Sequence, residues 1–176
     1  MKTEYRAIVE AGFVLQIDCP DLAMGRHTAF KALSDEQWLA IVEANISVLN
    51  AALSGIEPAS CRAHICWGNY PGTHHCDIEL GRIYSAILKL RPSQLSLESC
   101  NPRHAHEAEL FEQLPFPEDK VLMPGLIDTK SNTVEHPDFV AQRLLRFAGA
   151  LGSERVIGST DCGFASTAAA ASVSGE

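Results

Sequence analysis

The sequence has no basic block. Its 14 lysines and arginines are outnumbered by 22 acidic residues, for a formal net charge of −8 and a pI near 5.3. That balance leaves no electrostatic footprint for nucleic acid or an anionic membrane surface, and neither is expected as a partner. No apolar run approaches the roughly 20 residues that span a bilayer. The opening Met1-Lys2-Thr3-Glu4-Tyr5-Arg6 lacks the apolar stretch of a secretion signal, so a cytoplasmic location is the expectation. Without secretion, six cysteines do not read as a disulfide framework. Hydrophobic residues at 46% and charged residues at 20% are ordinary for a globular chain, which excludes disorder. A length of 176 residues suffices for one domain with a real core.

What the sequence does contain is an alternation of strand and helix signals. Gly12 to Asp18 is a short apolar run closed by Cys19-Pro20, read as a buried strand. Ser34-Asp35-Glu36-Gln37 has the form of a capping box. After it, apolar residues recur at helical spacing from Trp38 to Leu53, and Gly55 and Pro58 stop the helix. Arg62 to Trp67 reads as the second strand, Cys76 to Leu90 as an amphipathic helix, and Gln94 to Glu98 as the third strand. His104 to Leu114 reads as a short polar helix, Val121 to Asp128 as the fourth strand, Pro137 to Leu151 as a helix, and Arg155 to Asp161 as the fifth strand. Residues 1–164 then make one domain, and the small, polar stretch 165–176 a frayed tail. Strict alternation implies a parallel sheet with right-handed crossovers. The polar residues gather where strands end, the habit of a (β/α)₈ barrel. A whole barrel needs ~250 residues, so five strands mean either an incomplete barrel or an open α/β sheet.

The candidate site lies at those strand ends. His64 and Cys66 stand two apart at the end of an apolar run, and residues i and i+2 of a strand face the same way. Glu98 and Cys162 also end strand-like runs. Four strand ends converging would bring His, Cys, Glu and Cys together, a borderline-soft donor set that suits Zn²⁺. Taken singly, each has a plainer reading: a core histidine, a structural thiol, a surface acid. His74, His75, His104 and His106 lie in or beside polar helix starts and are read as structural, as are Cys19, Cys61, Cys76 and Cys100. Glu107 could orient a ligand but is not assigned that role.

At these residues the chain resembles the cobalamin-independent methionine synthase family, in its catalytic C-terminal barrel. It resembles in particular the shorter branch that includes the epoxyalkane:coenzyme M transferases. Gln16-Ile17-Asp18, His64-Ile65-Cys66, Leu97-Glu98, Gly125-Leu126-Ile127-Asp128 and Asp161-Cys162-Gly163 carry the resemblance, in the family's order. It implies a parallel (β/α)₈ barrel of which the C-terminal five strands are present. It implies zinc held by His64, Cys66, Glu98 and Cys162, and a substrate-binding, catalytic role for Asp18, whose counterpart holds the amino group of homocysteine. Methionine synthases carry a proton-handling histidine shortly after the fourth-strand Asp. Lys130 stands there in this chain, a candidate catalytic residue of another kind that places the chain in the shorter branch.

The expected function is zinc-dependent transfer of a methyl or other alkyl group to a thiol. By the resemblance, homocysteine is the leading acceptor, with a methylated folate or a simpler methyl donor. Zinc deprotonates a bound thiol, and two thiolates with a carboxylate keep that sulfur nucleophilic. Glu98, the hardest donor, is the ligand expected to yield when substrate sulfur binds. The alternative is a non-catalytic zinc-binding remnant, or a subunit that needs self-association or a complementing chain to finish the barrel, since half a barrel exposes strand edges. Zinc-assisted hydrolysis is a weaker third reading, because hydrolytic sites favour His and carboxylate over two thiolates.

Overall fold

Five parallel strands in the order β1-β2-β3-β4-β5 form one curved sheet in the computed structural model, which describes residues 1–164. The strands are β1 (Leu15–Cys19), β2 (Cys61–Ile65), β3 (Gln94–Leu97), β4 (Val121–Ile127) and β5 (Ser159–Thr160). The helices are α1 (Lys2–Glu10), α2 (Asp35–Ala52), α3 (Leu80–Ile87), α4 (Leu110–Gln113) and α5 (Pro137–Leu151). Each strand pairs with the next in sequence, the order of a barrel wall, and the five make a half-barrel. The expected tail, 165–176, lies outside the described residues.

The register assigns the two faces. Asp18 pairs with His64, His64 with Ser96, and Ser96 with Met123, so these side chains share the inner face. Ala63, Ile65, Leu95, Leu97 and Leu122 take the outer face, packed with Trp38, Val42 and Ile46 of α2, Ile83 and Ile87 of α3, and Phe147 of α5. Burying one such large side chain stabilises the fold by about 1.5–3 kcal/mol, so this outer layer holds the sheet while leaving its inner face to chemistry. A smaller cluster of Leu15, Leu53, Ile56 and Cys61, with Tyr5, Ile8 and Val9 of α1 against it, closes the amino ends of β1 and β2.

The capping box forms as read: Ser34 Oγ accepts from Gln37 N at 3.3 Å, and Gln37 Oε1 from Ser34 N at 2.9 Å. Elsewhere boundaries move. The sequence reading has no counterpart for α1, whose residues are mostly exposed. The helix expected from Cys76 starts only at Leu80, because the preceding loop is tied inward by Asp77 and Leu80 N donates to Glu107 Oε1 at 2.5 Å. The helix expected over 104–114 is a 3-10 segment, Ala105–Glu109, followed by the single turn of α4. β4 runs unbroken through Pro124 and Gly125. The fifth strand shrinks to two residues, preceded by a lone bridge between Leu122 and Val156.

Candidate metal centre

β2 delivers His64 on its inner face, and Cys66 follows just past the strand end. β5 delivers Cys162. One donor atom from each of His64, Cys66 and Cys162 lies within 4.8 Å of the others, the one such group among the described residues. The two sulfurs are 3.9 Å apart. His64 Nδ1 meets Ser96 Oγ at 3.2 Å, while Nε2 is buried without a hydrogen-bond partner. A buried polar nitrogen left unmatched costs about 1–3 kcal/mol, which a ligand to that nitrogen would offset. Gly68, at φ +101°, turns the chain so that its N–H donates to Cys66 Sγ at 3.3 Å. A Cβ there would come within 2.6 Å of the Tyr70 ring.

The cluster is electrostatically matched. The hydrogen bond between the sulfurs holds the Cys162 thiol well below its usual range and pushes Cys66 up. Burial opposes charge on His64, but the Cys162 thiolate, Asp18 and Glu98 outweigh it and raise the imidazole above its ordinary value. One imidazole and two sulfurs fit a zinc ion.

Glu98, expected as the fourth ligand, stands beside this group rather than in it. Its carboxylate is fully buried and accepts from Trp67 N at 3.0 Å, Asn101 Nδ2 at 3.0 Å and Lys130 Nζ at 2.6 Å. Burial pushes the Glu98 carboxyl up, against the pull of Lys130. Lys130 is held protonated, because Glu98 outweighs the burial that would discharge it. Asp18 occupies the sheet row of His64 and is open to solvent.

Asp161 is a residue the sequence reading passed over as mere context. Fully buried, its Oδ1 accepts from Ser99 N at 2.8 Å and Cys100 N at 3.1 Å, and its Oδ2 from Asn101 N at 3.0 Å and Asn101 Nδ2 at 2.7 Å. It locks the loop after β3 to the residue that precedes Cys162. Gly125 permits this, since a Cβ there would collide with the Asp161 carboxylate and backbone. Asn69 completes the lacing: it donates to Gly163 O and accepts from Thr129 Oγ1 at 3.2 Å.

A second cluster is legible only in part: His74 and His104 read as structural, while the sequence does not single out His27 and Asp77. Asp77 Oδ2 accepts from His74 Nδ1 at 2.8 Å and His104 Nε2 at 3.1 Å, and Asp77 Oδ1 lies 2.9 Å from His27 Nδ1. His104 Nδ1 donates to Glu107 Oε2 at 2.7 Å, and Tyr70 Oη meets His27 Nε2 at 2.9 Å. His104 is raised to about 9: burial lowers it, but Asp77 and Glu107 prevail. Burial likewise opposes charge on Asp77, yet its imidazole partners bring it down to about 2. None of these histidines joins the sulfur group, nor do the exposed His75 and Cys76 or the buried Cys19, Cys61 and Cys100.

A parallel half-barrel with imidazole and thiol donors converging at its carboxyl edge defines a barrel-type protein whose chemistry sits on the loops after the strands. The profile of the family described as cobalamin-independent synthase, catalytic domain, matches residues 1–174, and the chain belongs to that family. It is 30% identical over 143 residues to a 2-hydroxypropyl-CoM lyase from Xanthobacter autotrophicus (strain ATCC BAA-1158 / Py2), covering 67% of this chain and 38% of the relative. The fold is similar to that of a B12-independent methionine synthase from Shewanella sp. W3-18-1, solved in complex with selenomethionine. The TM-score is 0.63 at 21% identity, covering 92% of this chain and 45% of that one. The chain thus spans less than half the length of both relatives.

Proposed function

We propose that this chain binds zinc through His64, Cys66 and Cys162 and transfers a methyl or other alkyl group to a thiol, with homocysteine as the leading acceptor and a methylated folate as the leading donor. The observation that carries the reading is the unpartnered His64 Nε2 beside two sulfurs 3.9 Å apart. Zinc bound there supplies a positive charge that favours the thiolate form of a substrate thiol. Ser96 fixes the His64 ring through Nδ1, leaving Nε2 as the donor. Asp18, open to solvent in the same sheet row, receives the ammonium group of an amino-acid thiol. Lys130 holds a proton at Nζ beside the site and, with Asn101 and Trp67 N, keeps Glu98 in place as the fourth, exchangeable donor. The relative's name, a 2-hydroxypropyl-CoM lyase, and the selenomethionine held by the solved neighbour support a thiol or thioether as the kind of substrate.

A second reading has its own observation. Arg62 Nε and Gln94 Oε1, on the inner face, are buried without hydrogen-bond partners. Further barrel strands, from a complementing chain or a second copy, would supply partners, and the chain alone would then bind zinc without turning over. The test is zinc content of the purified chain, with X-ray absorption before and after homocysteine is added. One zinc per chain that gains a sulfur neighbour supports the transfer reading. One zinc with an unchanged spectrum supports the incomplete-barrel reading, and no zinc overturns both.

A further inference from the structure

A cavity of about 490 Å³ opens among the loops that follow β2, β3 and β4, within the size range of small-ligand sites. Three of its lining side chains are cationic. Arg103 has no carboxylate within ion-pair distance among the described residues, and its guanidinium meets only the backbone oxygen of Asp77, at 3.3 Å. Lys130 lies on the same wall. Both ring nitrogens of His74 face acceptors, Asp77 Oδ2 at 2.8 Å and Tyr70 O at 3.0 Å, so both carry protons and the ring is an imidazolium. His74 is also the one non-glycine described residue with positive φ, 52°, a strained backbone of the kind that collects at functional sites. Tyr70 stacks on it at 4.4 Å between ring centroids. The counter-charges of His74 and Lys130, Asp77 and Glu98, are already committed to buried networks. The remaining acid on the wall, Asp128, accepts from Lys130 N at 2.9 Å. Such a wall attracts a small oxyanion and offers Arg103 for a paired contact.

The cavity is linked to the metal centre through Glu98, and none of His64, Cys66 and Cys162 lines it. Asn101 and Lys130 line it and hold Glu98, whose other oxygen accepts the N–H of the residue after Cys66. We propose that this cavity is an acid-binding subsite, which seats the carboxylate or sulfonate of a substrate thiol whose sulfur goes to the His64, Cys66 and Cys162 group. The assignment of the seated molecule as a thiol rests on the function proposed above; the affinity for an acid does not.

The test begins with thiol-free probes. Butanoate, propane-1-sulfonate and propan-1-ol are titrated into the ¹⁵N-labelled full chain, following amide signals. Both acids are expected to shift the signals of Thr73, Arg103 and Lys130, and propan-1-ol to leave them in place. The tighter acid identifies the preferred group. Arg103→Gln should weaken acid binding by about tenfold or more, the size of one charge-assisted hydrogen bond. Arg103→Lys, which keeps the charge and loses the fork, should fall between. Equal response to acid and alcohol, or acid binding unchanged in both Arg103 variants, overturns the subsite. A second titration compares 3-mercaptopropionate with 2-mercaptoethanol on the zinc-loaded chain. A preference for the acid that disappears in Arg103→Gln supports the full proposal. If neither thiol binds while propane-1-sulfonate still gives Arg103-dependent shifts, the thiol reading falls and the acid subsite stands.

Discussion

Two histidine-bearing clusters sit on the loops of this half-barrel, and they are opposites. Around Asp77, both ring nitrogens of His74 and His104 are hydrogen-bonded within 3.1 Å, and Asp77 and Glu107 balance these two rings. His27 meets Tyr70 Oη at 2.9 Å through Nε2, while its Nδ1 lies 2.9 Å from Asp77 Oδ1 without making a hydrogen bond. Around Cys66, one nitrogen of His64 makes no hydrogen bond and lies beside two sulfurs 3.9 Å apart. The same residue type serves as a brace in the first case and as an unsatisfied donor in the second. The difference lies in partners rather than in burial, since His64 and His104 are both buried. A cluster whose imidazoles are mostly paired with carboxylates rigidifies the loops that carry it, while an unmatched nitrogen beside two sulfurs favours a ligand.

The sharpest way to break this contrast is to exchange its effects on metal and on stability. Cys66→Ser and Cys162→Ser are expected to lower zinc affinity by more than the ~100-fold that loss of a merely orienting partner reaches, with Cys76→Ser unchanged, in competition with a chelator. Equal zinc affinity in all three variants removes the metal centre. Asp77→Ala should do the reverse. It strands two buried imidazoles, at a cost of about 3–5 kcal/mol in urea unfolding, and leaves zinc affinity within error. If His64→Ala destabilises the metal-free chain as much, the two clusters are not different in kind.

A pH profile gives the next largest effect. The raised His104, at about 9 against an ordinary value near 6.5, contributes stability that is fully present below about 6.5 and lost as pH climbs through 9. Unfolding at pH 9.5 should therefore cost up to about 3 kcal/mol less than at pH 6, and His104→Gln should flatten the profile. The depressed Asp77 works at the other end: its contribution is present above about 4 and lost as pH falls through about 2. The smallest effect belongs to Glu98→Gln. Its three hydrogen bonds make it an orienting and exchangeable group, so zinc affinity should fall only about 10- to 100-fold. A loss as large as that of Cys162→Ser would make it a full ligand.

The sequence reveals the strands and the cysteine and histidine of the site because both follow local rules: apolar runs bounded by turn residues, and a two-residue spacing on one strand face. It conceals α1, a short helix with little buried surface to impose a pattern. The late start of α3 also escapes, because Glu107 and Asp77 act from outside the helical window. Glu98 is recognisable as a site residue, but its capture by Lys130 depends on two loops 32 residues apart. The role of Asp161 depends on the absence of a side chain at Gly125, which no pattern around Asp161 announces. The brace was least legible, since His27, His74, His104 and Glu107 come from three separate loops.

The spacing of the two sulfurs has a consequence for how the molecule assembles. Cys66 and Cys162 are 96 positions apart, so their meeting closes a loop over more than half the chain. Parallel strands that pair only through long crossovers gather slowly, and this contact needs β2 through β5 to be docked first. A cross-link between those sulfurs would restrict the unfolded chain as a disulfide over a similar span does, worth about 4–5 kcal/mol in the chain-entropy picture. Metal uptake would then report on completed folding: a chain halted before β5 docks would hold the first half of the ligand set and no tight site.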